Sequence, residues 1–373
     1  MKLKINRKIL LESLNCVSKA ISNRNIIPIL NGIYFELNSK GLTLVATDND
    51  ITIKGFIGKE DILEIVEVGK TVLYGRFLVD ILRKLNNEII SFENIDGNKV
   101  VVSTNNSKYN LNCYDVNDFP DVNIEIGENP IKINTTDFKK VIYNTLFATS
   151  TQESRPILTG VNMKIQGKYL ECTATDSYRL SKMFITLDKE REENVNVIIP
   201  GKNLTELLKI LEDDTEELDV NIYTNKIIFK YKSFLFQSSL LNGTYPNTNN
   251  LIPTDFLITL ELDFNEFYSV IDRASLLSLS KEKNNIQLEI KNKNLIITSV
   301  CEEIGKIEEK IFIENINNYS IQISFNARYM LDALKQFNTK NICINMNGEI
   351  KPIIINSEEK ESLTELILPI KTF

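Results

Sequence analysis

The chain has 373 residues, 43% apolar and 25% charged, with a formal net charge of −7. This is the composition of a globular protein long enough for two or three domains. Histidine is absent, which removes the commonest general base and zinc ligand, and with them Ser-His-Asp, Cys-His and HExxH chemistry. The acidic balance argues against a uniformly basic nucleic-acid binder, but what counts for such binding is where charge sits.

A strand is expected over 2–6. Behind it Leu10, Leu14, Val17 and Ile21 recur at helical spacing, opposite Arg7, Lys8, Ser18 and Lys19. Pro28 and Gly32 interrupt the pattern, and strands follow over 33–37, 42–46 and 51–57, alternating as in sheets with one wet face. The same order then recurs: a strand over 71–74, a helix over 76–85, and strands over 89–94, 99–104 and 109–114. Further helices are expected over 136–148, 202–211, 264–274 and 328–337. Polar, proline-containing stretches at 117–123 and 242–253 read as boundaries, giving units 1–124, 125–253 and 254–373. The six helices with their flanks carry a net +5, so positive charge concentrates on helices in an acidic chain. That is either ordinary solvation of helix surfaces or one shared face for a polyanion.

Five scattered cysteines (Cys16, Cys113, Cys172, Cys301, Cys343), never in CxxC spacing, read as reduced thiols of a cytosolic protein. With no secretory leader and no apolar run of bilayer length, a cytoplasmic location without membrane contact is expected. No metal or cofactor set is evident.

The chain repeats itself. Shifted by 128 positions, residues 3–57 lie over 131–185 without a gap, and 17 of the 55 pairs are identical, among them Asn6/Asn134, Pro28/Pro156, Gly32/Gly160 and Asp48/Asp176. A weaker third copy opens near Leu260 and Asp263. Repeats of this kind suit a scaffold with a geometric task better than a single-site enzyme. An Asp shared by both copies at 48 and 176 points to a turn role.

Within this layout stand QESRPILTGV (152–161), ATDSYRLS (174–181), GTYP (243–246) followed by LIP (251–253), and LILPIKTF (366–373). In this order within a triple repeat they resemble the bacterial sliding-clamp family, the beta subunits of DNA polymerase III. The resemblance spans the whole chain. It implies an α+β fold of three repeated clamp domains, each with two helices backed by antiparallel sheets. It also implies a head-to-tail dimer whose helices line a ring around duplex DNA. Function would be processivity in DNA replication, without catalysis or cofactor. Partners would be double-stranded DNA, the polymerase III alpha subunit, the clamp-loader delta subunit, and other DNA polymerases and repair proteins.

By matching position, the resemblance places a peptide-binding pocket at Leu158, Thr175, Ser177, Tyr178, Arg179, Leu180, Pro246 and Leu251. The third copy adds Asn326, Tyr329, Ile350, Ile353, Leu368, Pro369 and Ile370. Arg179 is expected to hold an acceptor at the rim of aliphatic walls with an aromatic lip. Contacts to DNA are expected from Arg24 and Gln152, joined by the helix cations Lys19, Arg83, Lys84 and Lys139. The ring interface is expected to pair Tyr109 and Leu111 with the partner's Leu276 and Leu277. Tyr178, Asn250 and Lys371 depart from the usual histidine, basic residue and arginine, Pro156 and Ile157 stand where the family can place aromatics against DNA, and 280–285 aligns poorly. Two other readings stand beside this one. One is a repeat-built interaction scaffold that never meets DNA. The other is a magnesium or phosphoryl-transfer enzyme using Asp176, Ser177, Arg179 and Ser181.

Overall fold

A computed structural model of the chain describes residues 1–22, 26–95, 98–278, 285–313 and 320–370. The chain forms two compact units: residues 1–139 with 202–240, and residues 140–201 with 241–373. Among the described residues six α-helices stand among strands, as the periodicity predicts: α1 (Arg7–Val17), α2 (Gly75–Lys84), α3 (Thr135–Leu146), α4 (Gly201–Leu208), α5 (Phe264–Ser278) and α6 (Ala327–Leu334).

Each repeat begins with the same local device. A strand ends in an Asn or Asp whose side chain caps the following helix, taking up amides the first turn leaves unpaired. Asn6 accepts from Lys8 N, Asn134 from Thr136 N and Asp137 N, and Asp263 from Glu266 N. The helices bury one apolar stripe: Leu10, Leu14 and Val17 in α1, Leu78, Val79 and Leu82 in α2, Phe267, Val270, Ile271 and Ala274 in α5. The second helices of copies one and two open on Gly75 and Gly201. At Gly75 a Cβ would lie 2.3 Å from Ile21 Cδ1 and 2.8 Å from Ile33 Cγ1 on the strand Gly32–Asn38, so the missing side chain lets the helix start pack closely against both.

The first unit holds a 13-stranded sheet, and the second a six-stranded and a four-stranded sheet. Every pairing in the described residues is antiparallel, and in each unit a strand of one repeat copy pairs with the last strand of the next. In the first unit Ile51–Gly58 pairs with Phe234–Ser239; in the second, Arg179–Pro200 pairs with Leu363–Ile367. Some details differ from the sequence expectation. The end of helix one tightens into a 3₁₀ turn at Ser18–Ala20, α3 stops two residues early and α4 and α6 three, α5 runs four residues longer, and the edge strand Ile62–Glu67 has no counterpart in the sequence reading.

Candidate functional site

In the second unit the strands Gly160–Thr175 and Arg179–Pro200 are joined by a tight turn built by Asp176. Its Oδ1 accepts from Tyr178 N (2.9 Å) and Arg179 N (3.0 Å). Thr175 Oγ1 donates to Arg179 O (2.6 Å) and accepts from Ser177 N (3.1 Å), and Ser177 is left at φ 80°. This is the turn role expected of the repeated Asp. It engages the carboxylate that the enzyme reading would need, and Ser181 is fully buried.

The turn delivers Arg179 into a closed set of partners. Nε donates to Asp176 Oδ2 (3.1 Å), Nη1 to Asp332 Oδ2 (2.8 Å) and Nη2 to the Phe147 carbonyl (2.9 Å). The guanidinium lies over Phe147 and Tyr329, 5.2 and 4.6 Å from their ring centroids. Arg179 therefore does not wait for an acceptor at the rim, as the sequence led us to expect. With two carboxylates on it, it serves as a neutralised planar wall. Tyr178, 60% exposed, stacks on Tyr329 at 6.5 Å to form the aromatic lip.

Beside this wall lies a groove of about 560 Å³ with predominantly aliphatic sides. Eight of the fifteen expected pocket residues line it: Leu158, Thr175, Ser177, Arg179, Leu180, Pro246, Leu251 and Leu368. One flank rests on the cluster of Leu158, Ile198 and Tyr245, the other on Leu180, Ile354 and Leu366. Tyr245 is buried, its hydroxyl accepts from Thr175 N (3.1 Å), and burial raises its pKa.

Seven expected residues lie outside the lining. Asn326 is the cap of α6, accepting from Arg328 N and Tyr329 N. Ile353 is fully buried core on a strand, and Ile350 is 71% exposed. Tyr178 and Tyr329 stand at the lip, and Pro369 and Ile370 continue past Leu368. The terminal segment is tied down, since Leu368 N donates to Tyr178 O (2.9 Å) and Ile370 N to Ser324 O (2.7 Å). Six lining residues were not assigned to the pocket from sequence: Arg155, Pro156, Ile157, Thr244, Thr248 and Leu366. Pro156 and Ile157 were considered only for DNA, although their adjacency to Leu158 was a usable signal.

Behind the groove Glu365 pairs across the sheet with Ser181 and is 1% exposed. Ser181 Oγ lies 2.7 Å from both Glu365 Oε1 and the Asn144 carbonyl. Burial raises the Glu365 pKa well above the carboxylate range. The serine has one hydrogen for these two acceptors. Lys360 donates to Asn144 Oδ1 and the Gln336 carbonyl, and burial brings its pKa down to about 8.

Comparison with known proteins decides the family. Family models for the N-terminal, central and C-terminal domains of the DNA polymerase III beta subunit match residues 1–124, 132–247 and 249–371. The chain is 39% identical to the beta sliding clamp of Bacillus subtilis and 38% identical to that of Staphylococcus epidermidis, over the full length of each chain. The crystal structure of the B. subtilis DNA polymerase sliding clamp superposes with a TM-score of 0.96, covering both chains completely. The beta chain of Streptococcus pneumoniae DNA polymerase III, 33% identical, gives 0.95 over the same coverage. This chain belongs to the beta sliding clamp family.

The clamp is a non-catalytic processivity subunit of DNA replication. Its expected DNA contacts divide. Arg24 lies outside the described residues, as do Lys371 and 280–284. Gln152 is exposed, and Lys84 is exposed at the end of α2. Lys139 is ion-paired with Asp213 and donates to the Leu211 carbonyl (3.0 Å). Lys19 and Arg83 line a cleft of about 630 Å³ in the first unit, together with Arg76, Lys202 and Lys209. Of the expected interface residues, Tyr109 and Leu111 are half-buried on the strand Lys108–Tyr114. Leu276 and Leu277 end α5, with Leu276 64% exposed. No helix among the described residues is long and apolar enough to cross a membrane.

Proposed function

We propose that two copies of this clamp close head to tail into a ring around duplex DNA, and that the groove beside Arg179 takes short linear peptides. These peptides would come from the polymerase III alpha subunit, the clamp-loader delta subunit and other DNA polymerases and repair proteins. The reading organises the chain as domains 1–124, 125–253 and 254–373 and places it in the cytoplasm. The observation that carries it is the groove itself. Leu158, Leu180, Leu366 and Leu368 form an apolar trough beside an arginine whose charge is already neutralised. Such a trough suits aliphatic and aromatic peptide anchors. Closure by a heterologous contact gives a two-member ring if the rotation closes, and the exposed Leu276 beside Leu277 suits that contact on one face.

Retention would then come from enclosure, since contacts to phosphate are sequence-independent and screened by salt. The test is topological. The protein is loaded on nicked circular DNA with its cognate loader and ATP, and held at high salt. A ring stays on the circle and leaves when the DNA is linearised; loss from the intact circle overturns encirclement. Leu276→Asp with Leu277→Asp is expected to convert dimers to monomers by light scattering, and unchanged dimers would remove those two residues from the interface.

A further inference from the structure

The cleft of the first unit carries more cations than acids, but most of its cations already have partners. Lys19, Arg76, Arg83, Lys202 and Lys209 line it, with Asp48, Asp80 and Glu206 among them. Three of the five cations face a carboxylate at close range: Lys202 to Asp50 (2.5 Å), Lys209 to Glu206 (2.7 Å) and Arg83 to Asp80 (3.4 Å). Arg76 donates to the Ile21 carbonyl (3.2 Å), and Lys19 makes no ion pair among the described residues. Asp48 differs from the other acids, because its Oδ1 accepts from Asp50 N and Ile51 N and so holds a turn.

We propose that Asp50, Asp80 and Glu206 are built-in competitors of DNA phosphate, each occupying one cleft cation so that the clamp touches the duplex through exchangeable pairs and not through free charges. This rests on the encirclement reading. Both members of the Lys202–Asp50 and Arg83–Asp80 pairs are at least half exposed, and in the third pair Lys209 is half exposed beside a more covered Glu206, so a passing phosphate can reach each cation without repacking. Exposed pairs of this kind are weak, which makes the exchange nearly even in both directions. A free lysine at the same place would release a condensed counterion with every contact and hold the backbone harder. Partner exchange keeps the cations available for orientation while limiting drag.

The experiment measures binding of the full chain to a labelled linear duplex as a function of salt. One variant combines Asp50→Asn, Asp80→Asn and Glu206→Gln. A charge-matched control combines Asp188→Asn, Glu192→Gln and Glu193→Gln, all exposed on the strand Arg179–Pro200. The cleft variant is expected to bind about two- to fivefold more tightly per freed cation, with a salt slope steeper by about 1 to 3. The control is expected to change little. Equal gains in both variants would reduce the effect to net charge and overturn the proposal, as would an unchanged slope in the cleft variant. If the unmutated protein is retained on circular DNA and the slope still does not move, this proposal fails alone; if it is not retained, the encirclement reading fails first and takes this one with it.

Discussion

Residues 47–52 and 175–180 form the same turn in two settings. In both, an Asp accepts from the amides two and three residues on: Asp48 from Asp50 N (3.1 Å) and Ile51 N (2.8 Å), Asp176 from Tyr178 N and Arg179 N. In both, a Thr donates to the carbonyl four residues ahead, and the third residue of the turn has positive φ, 76° at Asn49 and 80° at Ser177. The side chains carried by the turn differ. Ile51 is buried beside a charged cleft where Arg179 forms the wall of an apolar groove. One register step on, Ile53 pairs with Phe236 where Ser181 pairs with Glu365. The duplicated part is backbone chemistry, and the functional part is what each copy hung on it afterwards.

Replacing Arg179 by the copy-one residue, Arg179→Ile, should break this comparison most severely. Asp176 would be left partly buried without its cation and Asp332 with only Lys335 (3.7 Å), at a cost of about 2–4 kcal/mol in urea unfolding. Peptide affinity should fall as the wall collapses. Ile51→Ala should cost a similar amount through its cavity, about 2–4 kcal/mol, and leave peptide affinity unchanged. Equal losses of peptide binding in both variants would mean that the groove responds to general destabilisation only.

Removing the turn acid separates shared from local work. Asp48→Ala leaves two backbone amides without their acceptor and should cost about 1–2 kcal/mol. Asp176→Ala leaves the equivalent two amides unpaired and removes one of Arg179's carboxylates as well, so it should cost about 1 kcal/mol more. Thermal or urea unfolding of the two variants side by side checks the difference.

The turn and the helices were legible in the sequence because they depend on neighbours in the chain. The wall of the groove was only half legible. Arg179 stands in a recognisable string, but Asp332 is 153 residues away and the Phe147 contribution is a carbonyl, so nothing in sequence spacing announces that the guanidinium is already satisfied. The pairing of Lys139 with Asp213 is hidden for the same reason, since the two are distant in sequence. Leu366 looks like any strand residue until its pairing with Leu180 brings both to the groove. The edge strand Ile62–Glu67 escaped notice because its exposed face carries apolar and acidic residues together.

The buried pair behind the groove offers a test in pH. Below about 4.5, the ordinary Glu value, Glu365 is protonated in both folded and unfolded chains. Above it the unfolded chain gives up the proton while the folded one keeps it, so the folded state binds more protons and stability falls as pH rises. Glu365→Gln removes that fall. It should stabilise the protein by about 1 kcal/mol at neutral pH and be close to neutral at pH 4, as urea unfolding at the two pH values would show. A variant that is equally stable relative to the parent at both would mean that Glu365 is ionised in the fold. No such term arises at the matching Ile53–Phe236 pair of copy one.

The smallest effect sits at the apex of the two turns and tests whether they are equally strained. A non-glycine residue at φ near 80° carries a steric penalty that glycine does not, and asparagine tolerates this region better than serine. Ser177→Gly should therefore gain about 0.5–1 kcal/mol, less whatever the glycine loses in the unfolded chain and in the contact between Ser177 Oγ and Arg155 Nη1 (3.3 Å). Asn49→Gly should gain distinctly less. If the two gains were equal, the apices would share one strain and the residue difference between the copies would be without consequence. If Ser177→Gly also weakened peptide binding while stabilising the fold, the strain at the turn would be holding the groove open, and the second copy would have exchanged a little stability for its site.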